Sequence, residues 1–78
     1  MSTSTKLPAM IAVESSNIES IGYVRLRKEL FIQFKKNALY RYSPITPAQW
    51  KSFSEAESKG EWVHANLRNN KDISYEKI

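Results

Sequence analysis

The chain has 78 residues, with 12 Lys and Arg against 8 Asp and Glu, one histidine, two glycines and no cysteine. That length makes one domain; the missing cysteines exclude a disulfide framework and Cys-type zinc sites, and a lone histidine excludes a histidine-built metal cluster. A net charge of +4 favours polyanionic partners and says nothing of fold.

The chain opens on "MSTSTKLPAMIAVESS", a Ser/Thr-rich start followed by a short apolar run from Leu7 to Val13 that Pro8 interrupts. A secretory signal needs a basic start, for which Lys6 alone is poor, and an apolar region of which this run is the minimum length; a membrane span needs about 20 apolar residues. Residues 1–14 therefore read as a flexible arm able to dock at its end, and the protein is expected in the cytoplasm.

From Ile18 to Ser43 the pattern is that of strands. Leu30, Ile32 and Phe34 alternate with Phe31 and Gln33; Ile21 and Tyr23 precede them at the same period, and Leu39 to Tyr42 follow. Three strands result, joined by "VRLRKE" and "KKN". A two-residue turn at Lys36-Asn37 needs positive φ at both residues, which lysine tolerates badly. A three-residue loop, Lys35-Lys36-Asn37, needs only Asn37 left-handed. It pairs Phe34 with Ala38, Ile32 with Tyr40 and Leu30 with Tyr42, so both tyrosines share the Leu30/Ile32/Phe34 face. Phe31 then lies across from Arg41 on the other face, beside Gln33, Leu39 and Ser43. With helices on one side only, that second face is open to water.

From Thr46 the chain turns helical. Thr46, Pro47 and Gln49 make a capping box with proline at the first helical position, and Trp50, Phe53 and Ala56 form an apolar stripe. A second box, Ser58-Lys59-Gly60-Glu61, opens a helix carrying Trp62, Val63 and Leu67; Ser58 and Gly60 read as a cap and a tight junction. "RNNKD" ends that helix, and residues 71–78 read as a tail or a short extra strand. The expectation is an α+β domain over residues 15–70, a three-stranded antiparallel meander followed by two short helices packed on one face.

The chemistry of an enzyme is not visible. Glu55 and Glu57 point apart on a helix, Glu61 caps, and His64 reads as a helix-surface residue rather than a catalytic one. Phosphate-binding glycine loops and metal-ligand spacings are absent from the sequence, so no catalytic residue, metal or cofactor is expected. The basic residues fall in two groups: Arg25, Arg27 and Lys28 in the first turn, Lys35 and Lys36 in the second, with Arg41 between them. A guanidinium and an exposed ring can both stack on a nucleobase. Phe31 and Arg41 with those five cations are therefore the expected nucleic-acid surface. The same half-apolar face, or a free sheet edge, equally suits docking of a protein partner.

The order "SSNIESIGY", "L-x-I-x-F", "N-A-L-YRY", "A-x-S-x-G" and "N-L-R" resembles the KTSC domain, over roughly Ser15 to Arg68. Tyr40 and Tyr42 match that family's Tyr-x-Tyr, and Ala56, Ser58 and Gly60 its Ala-x-Ser-x-Gly. Lys36-Asn37 stands where the family usually has Asn-Gly, Trp62-Val63-His64 departs from its usual aromatic pattern, and the usual Tyr-rich end is replaced by "NNKDISYEKI". The family also occurs at the C-terminus of some lysyl-tRNA synthetases. The resemblance thus implies a binding module for RNA, tRNA included.

Overall fold

The computed structural model describes residues 8–68 and 70–78. Five antiparallel strands form one sheet in sequence order: β1 (Ile11–Ala12), β2 (Ile18–Val24), β3 (Glu29–Phe34), β4 (Ala38–Ser43) and β5 (Ser74–Lys77). Helices α1 (Pro47–Glu55) and α2 (Lys59–Val63), and a π-helical turn at His64–Arg68 that continues α2, lie between β4 and β5. The α+β class holds, but the sheet has five strands where three are expected. The stretch read as an arm supplies β1 through Ile11↔Ile21, and the stretch read as a tail or a short extra strand is a strand, β5, through Tyr42↔Tyr75. Residues 1–7 of the expected arm lie outside the described residues.

The second hairpin follows from its turn residue. Asn37 takes φ of 60°, and the pairs are Phe34↔Ala38, Ile32↔Tyr40 and Leu30↔Tyr42, the register that a three-residue loop with left-handed asparagine requires. The first connection is shorter than expected, because Val24 and Glu29 pair and leave only residues 25–28 as the loop. Lys28 closes that loop with φ of 54°. Its carbonyl accepts from the Ile45 amide at 2.7 Å, so the left-handed lysine is tied to the segment leading into α1.

One extra residue sets the core face of β2. Ile18 pairs with Phe34 and Ser20 with Gln33, so Glu19 is a bulge. Ile18 and Ile21 are three apart, a spacing that would place them on opposite faces of a regular strand. The bulge brings both to the buried side. There they join Leu30, Ile32, Tyr42 and Ile45 in one cluster with Phe53, Val63 and Leu67 from the helical segments. Both helices therefore cover the same sheet face.

Local chemistry places the helices. The Thr46 hydroxyl accepts from the Gln49 amide and the Thr46 amide donates in turn to Gln49 Oε1, a complete capping box with Pro47 behind it. Trp50 lies flat on Tyr23, with centroids 5.3 Å apart and planes 8° apart, and the Tyr23 hydroxyl donates to the Ile45 carbonyl. Phe53 is fully buried and meets Trp62 at 4.9 Å. Burying a ring of that size is worth roughly 1.5–3 kcal/mol. Ser58 caps α2 by accepting from the Glu61 amide.

Candidate functional site

The opposite sheet face is not open where Phe31 lies. Phe31 is 0% exposed, which corrects the expectation of a solvent-facing ring. Its β2 neighbour is Gly22, and a Cβ there would come within 2.8 Å of Pro8 Cγ and 2.7 Å of Met10 Sδ. The Pro8 and Met10 side chains and the Ala9 carbonyl thus stand over the sheet at this row, and the missing side chain leaves them room. Phe31 cannot stack on a base in this arrangement.

Arg41 does extend from that face, but two carboxylates hold it. It donates to Glu76 of β5 and lies 3.9 Å from Glu29 of β3. At the first turn, Arg27 donates to Glu29 at 2.9 Å. Arg25, Arg27 and Lys28 sit at one end of β3, and Lys35 and Lys36 at the other. The expected surface is therefore divided: its ring is buried, its central guanidinium is neutralised, and its two cation groups are a strand length apart.

The other side of the sheet holds a concavity of about 880 Å³ between β3–β5 and the α2–π-turn segment. Tyr40, Tyr42 and Tyr75 make its floor, with ring centroids 6.3, 6.0 and 6.1 Å apart in a near-equilateral triangle. Phe34 meets Tyr40 edge-on at 5.7 Å. Burial falls steeply across the three rings: Tyr42 is 7% exposed, Tyr40 is half-buried and Tyr75 is 68% exposed. Tyr40 and Tyr42 thus fill core and line a cleft at once.

The walls carry cations. Lys35 and Lys36 come from the second turn and Arg68 from the π-helical turn, where the His64 imidazole also lines the cleft; among the described residues no Asp or Glu does. Burial pushes the Tyr42 phenol above its ordinary value, Arg68 pulls it down, and Tyr40 and Tyr75 add to the rise. The Arg68 charge is thus felt at the Tyr42 ring. A smaller hollow beside the cleft is mixed in charge, lined by Glu14, Glu57 and Glu61 together with Lys59 and His64. Single π-helical turns are rare and concentrate at functional sites; here the turn supplies both His64 and Arg68. Among the described residues no group of three His, Cys, Asp or Glu could hold a metal, and no helix is long and apolar enough to cross a membrane.

The KTSC domain model matches residues 14–70 of this chain. The chain belongs to the KTSC domain family. The crystal structure of a KTSC domain protein from Yersinia pestis superimposes with a TM-score of 0.83 at 30% identity, over 90% of this chain and 96% of that one. An uncharacterized protein from Stutzerimonas stutzeri (strain A1501) is 36% identical over 50 residues, 64% of this chain and 70% of its own.

In this KTSC domain the motif residues converge on the tyrosine cleft. Tyr40 and Tyr42 form its floor, Gly60 of Ala-x-Ser-x-Gly and Arg68 of Asn-Leu-Arg stand on its helical wall, and Asn17 closes one end. Gly60 has no positive φ; a Cβ there would make only ordinary contact with Asn17, at 3.9 Å. Ser58 caps the helix, and Ala56 receives the Lys59 ammonium on its carbonyl at 2.8 Å. Sequence reasoning missed Tyr75 and Arg68. Ile73 and Tyr75 at period two were the available signal for the first, and the Asn-Leu-Arg element for the second.

Proposed function

We propose that this KTSC domain is a non-enzymatic module that binds RNA through the cleft of Tyr40, Tyr42 and Tyr75. The observation that carries the reading is the juxtaposition of three tyrosine rings with Lys35, Lys36, His64 and Arg68 in a concavity without a carboxylate among its described lining residues. Phosphates seek the Lys35, Lys36 and Arg68 cations, and every base offers a π face that stacks on an aromatic ring for about 1–3 kcal/mol. Two expected contacts, Lys35 and Lys36, stay in this reading. Phe31 and Arg41 leave it, and Arg25, Arg27 and Lys28 fall outside the proposed contact.

The test is a backbone-amide NMR titration with bulk tRNA at low and near-physiological salt. The expected result is saturable shifts at residues 35–42, 64–68 and 75, weakened by salt. Each phosphate contact contributes a slope of about −0.7 in log K against log salt for a single strand, so Arg68→Gln should flatten the slope by about that amount. No shift at low salt, with tRNA or with single-stranded pools, overturns the reading and turns attention to a protein partner at the exposed β5 edge.

A further inference from the structure

The three rings differ in what they can offer a ligand. Tyr42 is closed in by the core, Tyr40 shows part of one side, and Tyr75 projects from the outermost strand. The usable aromatic surface is thus one exposed ring backed by a half-exposed one. It lies inside a concavity, with cations on both walls. At about 880 Å³ the cleft falls in the range of sites for small molecules, about 300–1,000 Å³. The whole molecule measures only 26 and 19 Å across its two shorter dimensions, and the cleft takes up part of one side.

A double helix does not fit that geometry. Bases in a duplex are stacked on both faces and present only their edges in the grooves, and sequence-reading RNA proteins work on unstacked, splayed bases. A duplex resting on this surface would reach Lys35 and Lys36 with its phosphates but bring no base face to Tyr75.

Resting on the RNA reading above, we infer that the cleft selects unpaired nucleotides: a splayed base lies on Tyr75 and Tyr40 while its phosphate is held between Arg68 and the Lys35–Lys36 turn. One or two nucleotides occupy the cleft, and the flanking strand contributes only through charge.

The test titrates the labelled chain, at one fixed salt, with adenosine 5′-monophosphate, a short oligoadenylate, the same oligoadenylate paired with oligouridylate, and inorganic polyphosphate. The monophosphate should shift Tyr40, Tyr75 and Arg68 saturably, and the single strand should bind about 10-fold tighter than the duplex, the equivalent of one stacked base. Tyr75→Ala should weaken the single strand by about 10-fold and leave polyphosphate unaffected. Tyr75→Leu, which keeps apolar bulk without a π face, guards against a folding defect and should behave the same way. Equal affinity for single strand and duplex overturns the inference and leaves RNA binding standing. So does a Tyr75→Leu variant that binds like the parent. If no RNA of any form binds, the functional reading itself falls.

Discussion

Gly22 and Phe31 pair across β2 and β3, and the space that a Gly22 side chain would fill is held by Pro8 and Met10. Gly22→Ala should therefore destabilise the fold, although alanine normally suits a strand better than glycine. The new Cβ would also stand 3.1 Å from the Ala9 carbonyl, so backbone has to move. A loss of about 1–3 kcal/mol is expected, as for other overpacked sites. Chemical denaturation reads it, and faster amide exchange over residues 9–13 should accompany it.

Phe31 and Tyr75 should respond oppositely to truncation. Phe31 is fully buried, so Phe31→Ala should cost about 3–5 kcal/mol. Tyr75→Ala removes a largely exposed ring and should change stability by less than about 1 kcal/mol. Urea midpoints of the two variants decide this, and a near-native midpoint for Phe31→Ala would show that the face opposite the helices is open after all.

Tyr42 is the inner member of the tyrosine triangle and belongs to the buried cluster. Tyr42→Ala is expected to cost about 3–5 kcal/mol. A melting temperature unchanged within error would contradict the register of β3 on β4.

Alkali should weaken the fold through the same residue. Burial raises the Tyr42 phenol above the ordinary tyrosine value, and burial likewise raises Tyr23, with Arg25 opposing. Below the unfolded value of about 10 both states hold the proton and the full stability is present. Above it the unfolded chain ionises first, so stability falls as pH climbs through the higher folded values. Denaturation midpoints should stay level up to about pH 9 and then decline, less steeply in Tyr42→Phe. An identical decline in that variant would remove Tyr42 from the account.

The capping box of α1 gives a prediction of smaller size. Thr46→Ala removes the acceptor for the Gln49 amide and should cost about 1 kcal/mol. Thr46→Asp should retain most of the stability, because its carboxylate accepts the same bond.

What could be read from the sequence depended on range. The register of β3 on β4 was legible because one residue, Asn37, decides between two turns. The caps at Thr46 and Ser58 were legible because they act over three residues. The cover over this row was not, since it sets the Pro8 and Met10 side chains and the Ala9 carbonyl against Gly22 without a periodic signature. A glycine inside a strand was the one hint of close approach. β1 is two residues long and β5 four, too short for alternation to stand out. The cleft was the least legible feature, because it needs Tyr75 to return beside Tyr42 and the π-helical turn to carry Arg68 over it. Each of those is a long-range event.

The pair between Arg41 and Glu76 carries a consequence for the cleft on the other side of the sheet. Glu76 and Tyr75 are successive residues of one edge strand and face opposite ways, so the grip on one sets the seat of the other. A carboxylate lost at position 76 would leave the guanidinium to Glu29 alone and remove one of the ties on β5, the strand that carries the outermost ring. The two faces of β5 are thus coupled: the ion pair anchors the strand from one side, and the ring it carries lines the cleft on the other.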